Sequence, residues 1–272
     1  GIYAEKPMAN SLADADAMID QCKASGTVLT IGHQRRWAKQ IRAVRQHIKD
    51  GRIGTPTHGC IYWGTARVGS NGTHFFDALN FILDSTPVEV VGRVSRQLGT
   101  KLDADPEWSE RLAADPGAFG FITYANGVRM AVDCMSDVLL PYTYMFCGTR
   151  GRLDVFERGW EVQYRARSSD VRSIRDAKEN YVQTEIPPLP AWVDDEAVQS
   201  GYRELMECIE TGARPTSSGE DGRLVLYQSR DEGQTWERIG KGPGPFPSET
   251  VGGQVTQLRD GTLVWPIGIA VP

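Results

Sequence analysis

The sequence predicts an α/β protein in which the edge of a parallel α/β unit is followed by an open-faced, mainly antiparallel sheet domain and a short β appendage. Three observations support this prediction. Apolar residues recur at helical spacing around a short strand near the N-terminus, the apolar period changes to two beyond Pro56, and glycine and proline become dense after residue 228. The 272 residues can bury a sizeable core. We therefore expect three segments, at 1–38, 39–225 and 226–272.

The N-terminal region is predicted to form a helix, a strand and a second helix. The first helix has Ser11 as its cap and Gly26 as its stop, and the second stops at Gly51. A short buried strand covers 27–31 between them. The residues predicted to face inward are Leu12, Ala15, Ile19 and Cys22 in the first helix, and Ile41, Val44 and Ile48 in the second.

The middle of the chain predicts an antiparallel meander with two helices. Asn126-Gly127 lies between two apolar runs and is a strong hairpin signal. Predicted strands cover 58–63, 121–124, 128–132, 142–147, 152–156 and 161–164, and predicted helices cover 74–83 and 201–211.

Composition excludes several classes of protein. The net charge of −5 and the pI near 5.5 argue against a nucleic-acid partner. No apolar run is long enough to span a membrane, and residues 1–30 lack a signal-peptide pattern, so we expect a cytoplasmic protein without a membrane partner. The five cysteines are scattered, with no histidine at ligand spacing, and predict no metal site.

Six short motifs occur in an order that resembles the Gfo/Idh/MocA oxidoreductases, which are nicotinamide-dependent sugar and polyol dehydrogenases. The resemblance covers about residues 1–225. The motifs are Glu5-Lys6-Pro7, the GHQRRW run at 32–37, DGRIG at 50–54, GTHFFD at 72–77, GTRGRL at 148–153, and TGARP at 211–215 with GEDGR at 219–223.

The resemblance implies roles for particular residues. Lys6 would be the cation that holds the substrate oxygen, and His74 would be the acid/base, for which an imidazole is suited near neutral pH. Many members have Asp four residues before this histidine, where this chain has Ser70, so Asp77 is a candidate to orient the imidazole. The alternatives are that His74 caps a helix and that Asp77 lies on a solvated turn.

Three further residues are candidates for the substrate side of the site. They are Arg36, Trp63 and Tyr142. A structural salt bridge is an equally good interpretation of Arg36. Aromatic residues in a sheet more often belong to the core, which is the alternative for Trp63 and Tyr142.

The resemblance also implies NAD or NADP as the cofactor, bound in part by Glu5, Lys6 and Pro7. The Gly-x-Gly-x-x-Gly turn that approaches a cofactor pyrophosphate is absent from these 272 residues. Residues 1–38 are therefore interpreted as the C-terminal remnant of a Rossmann dinucleotide-binding domain, and 39–225 as the substrate and oligomerisation domain. We expect this truncated chain to bind the cofactor weakly, and to form a homodimer or higher homo-oligomer through its sheet.

The appendage contains a second resemblance. Residues 229–236 fit the Asp box (BNR repeat) of sialidase-like propellers, Ser-x-Asp-x-Gly-x-Thr-Trp, a structural hairpin device. A second hairpin is predicted around Asp260-Gly261. The chain would then be a fusion that ends in a propeller fragment. The Asp-box positions are Ser229, Asp231, Gly233, Thr235 and Trp236.

The sequence thus predicts an NAD(P)-dependent oxidoreductase of a sugar or polyol, with impaired cofactor binding. Two alternatives stay open. One is a non-catalytic sugar-binding or scaffold protein with the same sheet domain. The other is a fragment of a sialidase-like glycoside hydrolase.

Overall fold

The structure is a computed structural model and describes the chain except for fourteen segments. Pro7, the Ser11 cap and Ser70 lie outside the described residues, as do Asp231, Gly233 and Thr235 of the Asp box. The segments not described are 7, 10–11, 65–66, 69–70, 96–116, 135–141, 157–162, 168–180, 186–193, 224, 230–235, 239–255, 258–262 and 268–272.

A small parallel α/β unit forms the N-terminal region. Strand β1 pairs in parallel with β2, with Ile2 opposite Leu29, and helix α1 connects them. The apolar face of α1 packs on β2, as its periodicity predicts. Sequence analysis missed β1, because three residues are too few to show a period. The bounds are β1 Ile2–Ala4, α1 Leu12–Ala24 and β2 Leu29–Ile31.

A tight turn and a helix connect this unit to the sheet. A 3₁₀ turn covers Gln34–Trp37, and helix α2 follows at Lys39–Lys49. Helix α2 buries the three predicted residues, Ile41, Val44 and Ile48. The chain then turns through Gly51, whose φ of +69° is readily adopted only by glycine.

The large sheet is mixed rather than a simple meander. Strand β3 lies between β6 and β7, parallel to the first and antiparallel to the second, so a strand that precedes the hairpins in the chain is inserted between them. Periodicity cannot reveal this order, because it reports the faces of a strand and not its neighbours. The order is β10-β9-β8-β7-β3-β6-β5-β4. The bounds are β3 Pro56–Tyr62, β4 Pro87–Ser95, β5 Gly117–Tyr124, β6 Arg129–Asp133, β7 Thr143–Gly148, β8 Gly151–Phe156, β9 Gln163–Arg167 and β10 Tyr181–Glu185.

Asn126 and Gly127 form the turn of the predicted hairpin. Strands β5 and β6 pair antiparallel, and Gly127 has φ +85°. The side-chain oxygen of Asn126 accepts a hydrogen bond from the backbone of Val128 at 3.2 Å. The hairpin prediction is confirmed, and its turn chemistry is the one that the sequence indicated.

Helix α3, at Gly72–Leu83, packs its apolar side chains with those of the sheet and α2 in one core. Helix α4 covers Asp194–Thr211, so it begins seven residues before the predicted start. The chain leaves α4 through Gly212, at φ +73°, and then forms the short helix α5 at Gly219–Gly222. Within the described residues, no helix is long and apolar enough to cross a membrane.

The C-terminal strands extend the large sheet. Strands β11 and β12 form an antiparallel hairpin on either side of the Asp-box turn, and β12 pairs with β4 at the sheet edge. The strands around Asp260-Gly261 also pair antiparallel. The two predicted hairpins therefore have paired strands, but they continue the second domain's sheet, and nothing in the fold supports a propeller-like appendage. The bounds are β11 Val225–Ser229, β12 Trp236–Arg238, β13 Thr256–Gln257 and β14 Leu263–Ile267.

Candidate active site

Lys6 and His74 are coupled electrostatically although 67 residues separate them in the chain. Lys6 follows the carboxyl end of β1, the end at which ligands bind in parallel α/β sheets. His74 lies in the first turn of α3. The charge of Lys6 helps to lower the pKa of His74, so the charge on one of these two candidate residues affects the other.

The environment of His74 favours the neutral imidazole. Burial, followed by electrostatic interactions with Arg35, Lys6 and His33, lowers the pKa of His74 well below its usual 6.5. Its Nδ1 is buried and has no hydrogen-bond partner, so this nitrogen makes no cap bond to α3. At neutral pH the imidazole is therefore uncharged and able to accept a proton.

Asp77 is fully buried in an ion cluster. Its carboxylate accepts hydrogen bonds from Arg36 Nε at 2.9 Å and Arg36 Nη2 at 2.8 Å, and His33 Nδ1 lies 3.2 Å away. Arg36 also contacts Asp221 at 3.2 Å and donates to the Thr216 carbonyl at 2.7 Å. The interpretation of Asp77 as a solvated turn is wrong. Its bonds join α3 to the 3₁₀ turn, so Asp77 acts on the position of the helix that carries His74.

Arg36 forms a buried salt bridge with Asp77, which is the alternative interpretation of this residue. The residue is 6% exposed and its guanidinium is engaged by two carboxylates, so the substrate-side prediction for Arg36 is corrected to a buried ion pair. Burying a carboxylate such as Asp77 requires this compensation.

Trp63 and Tyr142 belong to the aromatic core. Trp63 stacks on Phe75 with ring centres 4.4 Å apart, and Tyr142 meets Phe75 edge to face at 4.9 Å. Both residues are buried. The structure favours the core interpretation over direct presentation to a sugar.

Sequence analysis missed Arg35. Its guanidinium carbon lies 4.4 Å from the ring centre of Phe75 and 4.3 Å from that of Tyr142, so the two rings hold the cation. Its positive charge also helps to lower the pKa of His74. The two adjacent arginines in the QRR run at 34–36 were the sequence signal that could have indicated Arg35 as a site residue. The sequence could not show which of them pairs with carboxylates and which lies beside His74.

The segment after α4 packs against strand β2 and the 3₁₀ turn. Ser218 forms a capping box with Asp221, in which each side chain bonds the other residue's backbone. The Ser217 carbonyl accepts a hydrogen bond from the backbone N–H of Ile31 at 2.8 Å. Gly222 packs so closely on Ile31 that a Cβ would lie 2.5 Å from its side chain. This contact explains why residue 222, in the GEDGR motif at 219–223, is a glycine.

This fold and these contacts define an α/β protein with a cationic site between a parallel unit and an open sheet. Residues 62–227 match the C-terminal alpha/beta domain of the Gfo/Idh/MocA oxidoreductase family. The match covers more than half of the chain, and the chain belongs to this family. The relation to sialidase-like propellers receives no support from the comparisons.

Two curated relatives align along most of the chain. D-apiose dehydrogenase of Paraburkholderia graminis is 29% identical over 255 residues, covering 86% of this chain and 65% of the relative. 1,5-Anhydro-D-fructose reductase of Ensifer adhaerens is 25% identical over 240 residues, covering 81% of this chain and 66% of the relative. The chain thus spans just under two thirds of the length of these relatives.

A solved structure agrees on the fold. An oxidoreductase from Agrobacterium radiobacter, in complex with NAD+, L-tartaric acid and magnesium, superimposes with a TM-score of 0.61 at 20% identity. The superposition covers 81% of this chain and 66% of that one.

Proposed function

We propose that this chain supplies the reacting end of an NAD(P)-dependent oxidoreductase that acts on a sugar or polyol. The observation that carries the proposal is that Lys6, directly after the carboxyl end of β1, is coupled electrostatically to His74 in the first turn of α3. The names of the relatives, a sugar dehydrogenase and an anhydro-sugar reductase, support the substrate class.

The residues present fit the nicotinamide end of the cofactor. Lys6 follows the open carboxyl end of a parallel strand, and the buried Nδ1 of His74 has no protein partner. Glu5, Lys6 and Pro7 would border the nicotinamide. The pyrophosphate-binding Gly-x-Gly-x-x-Gly turn is not among these 272 residues, so the residues present account only for the nicotinamide end of the site.

The chain's own residues would divide the chemistry between them. When bound, the nicotinamide accepts or donates the hydride. Neutral His74 takes the proton of the substrate hydroxyl during oxidation and returns it during reduction. Lys6 holds the same oxygen and stabilises the negative charge that develops on it. Ser70 and Asp77 remain proposed as supporting residues, Asp77 through its hold on α3.

Nicotinamide absorbance against a panel of sugars and polyols tests this proposal. We expect turnover in the chain as given, and a loss of at least about a hundredfold in His74→Asn and Lys6→Met. Lys39→Met is the matched control, because Lys39 is exposed and pairs with Glu196. Equal activity in all four proteins would contradict the assigned roles.

A non-catalytic sugar-binding protein with the same sheet domain is the second candidate. Sugar binding without any absorbance change, at saturating NADH and NADPH, would select this alternative.

We also propose a homodimer through the outer face of the sheet. Phe119 and Phe121 of β5 point to this face and are 45% and 62% exposed. The register places Phe119, Asp133 and Tyr62 in one row across three strands, so Tyr62 shares the face. Exposed aromatic side chains on an open sheet are typical of an interface.

Light scattering tests the dimer. Phe121→Glu should yield a monomer, whereas Tyr202→Glu, at a half-exposed aromatic residue on α4, should leave the assembly unchanged. A wild-type monomer at micromolar concentration would contradict the proposal.

We propose that residues 1–38 belong to the dinucleotide-binding domain, residues 39–225 form the substrate domain, and residues 226–272 form the Asp-box segment. In support, α2 begins at Lys39 and the family match ends at residue 227. The Asp-box pattern is proposed as the turn between β11 and β12, supported by the pairing of Tyr227 with Arg238.

A further inference from the structure

His33 is fully buried, and the proposed chemistry gives it no role. It lies two residues beyond the carboxyl end of β2, as Lys6 lies two residues beyond that of β1. The register pairs the last residues of these two parallel strands, Ala4 and Ile31. The backbone N–H of His33 donates to the Ile31 carbonyl at 2.7 Å. The backbone of His33 is therefore fixed to the strand that neighbours the one leading to Lys6.

The two ring nitrogens of His33 have different surroundings. Nδ1 lies 3.2 Å from Asp77 Oδ1 and 3.4 Å from the Ser217 hydroxyl oxygen, whereas Nε2 is buried without a hydrogen-bond partner. Burial lowers the pKa of His33, so the ring is neutral at pH 7.5. A bare Nδ1 would direct its lone pair at a carboxylate oxygen, which is unfavourable. The one ring proton therefore belongs on Nδ1.

The contact between His33 and Asp77 connects β2 to helix α3. Asp77 lies three residues after His74 on this helix, which is less than one turn. Arg36 bonds the same carboxylate, but from the 3₁₀ turn rather than from the end of the strand. Because the ring of His33 has no exposed surface, it does not touch a substrate, and its influence on the chemistry passes through Asp77.

We infer that His33 is a positioning residue for His74: its Nδ1–H donates to Asp77 and so fixes the helix that carries His74 to the end of β2, beside the strand that leads to Lys6. The inference rests on the proposed function for the roles of Lys6 and His74, and adds the contact that sets their relative placement. A misplacement of about 1 Å at a reacting group can cost about a hundredfold in rate, so this contact bears directly on catalysis.

Nitrogen-15 NMR of the histidine side chains, recorded on the whole chain at pH 7.5, tests the protonation of His33. The chain has four histidines, and the set of ring signals that disappears in His33→Asn belongs to His33. We expect a neutral ring that is protonated on Nδ1. A ring protonated on Nε2, or on both nitrogens, would overturn the inference.

Substitutions of His33 separate the Nδ1 contact from the volume of the ring. The amide nitrogen of asparagine can occupy the place of Nδ1 and donate to Asp77, whereas glutamine reaches the place of Nε2 and leucine donates nothing. We expect His33→Leu to shift the ring signals of His74, and His33→Asn to leave them near their wild-type positions. Unchanged His74 signals in His33→Leu, or an equal shift in His33→Asn, would contradict the positioning role. If His33→Leu does not fold, His33→Gln takes its place with the same expectation.

Steady-state kinetics give a second measurement. We expect His33→Leu to lower kcat by about ten- to a hundredfold with KM changed by less than about twofold, because proton transfer rather than substrate binding depends on the placement of His74. His33→Asn should recover most of this loss. His58→Leu is the control, since the ring of His58 is exposed and bonds Thr57 on β3. A rise in KM at unchanged kcat would overturn the inference.

The two measurements separate this inference from the proposed function. Absence of turnover in the wild type contradicts the oxidoreductase, and the NMR comparison then decides the role of His33. Wild-type turnover with an unaltered kcat in His33→Leu supports the oxidoreductase and overturns the positioning role.

Discussion

Two neighbouring regions of this protein place their cationic side chains in different surroundings. The buried ion cluster of His33, Arg36, Asp77 and Asp221 neutralises its arginine with two carboxylates. The site cations, Lys6 and Arg35, act on His74, and aromatic rings hold Arg35. Consecutive arginines thus serve different purposes. One maintains the architecture, and the other contributes to the positive potential at the site.

The largest expected effect comes from breaking the ion cluster. Arg36→Met would leave Asp77 buried and short of its main partner, and we expect the free energy of unfolding to fall by about 3–5 kcal/mol. Urea denaturation measures this. Lys39→Met, which removes an exposed pair with Glu196, should cost less than about 1 kcal/mol. Similar losses in the two variants would show that the cluster is not a special determinant of stability.

The next largest expected effect is a loss of folding stability on acidification. The pKa values of His33 and His74 are lowered by burial and, for His74, by neighbouring cations. The unfolded chain therefore binds protons first, and stability that is complete above about pH 6.5 is lost as the pH falls below it. The slope is up to about 1.4 kcal/mol per pH unit for each histidine.

Urea denaturation at pH 7.5, 6.5 and 5.5 measures this loss. In His74→Phe the slope should fall by up to about 1.4 kcal/mol per pH unit, which is the contribution of one histidine. The half-buried His47, whose pKa burial also lowers, is common to both proteins. The ion-paired Glu220, whose pKa is lowered to about 2, loses its contribution only below its usual range near 4.5. An unchanged slope in His74→Phe would mean that His74 titrates normally.

The sequence predicted most of the elements and put forward Lys6 and His74 as candidates for the reacting residues. Helices α1, α2 and α3 and the Asn126-Gly127 hairpin follow from periodicity and turn chemistry, which are local properties. Lys6 and His74 followed from ordered motifs. The pairing of Asp77 with Arg36 could not be predicted, because it depends on how a 3₁₀ turn meets a helix 41 residues further along. The contacts of Arg35 with Phe75 and Tyr142 were missed for the same reason, as were the position of β3 in the sheet and the pairing of β12 with β4.

The position of β3 has a consequence for the order in which this protein folds. The strand ends at residue 62, whereas its two neighbours begin at residues 129 and 143. During synthesis β3 therefore emerges long before either partner, and the centre of the sheet must wait for contacts that are distant in sequence. Such contacts slow folding. A chain that stops after β6 leaves β3 with one open edge, so the two halves of this sheet are not separable units.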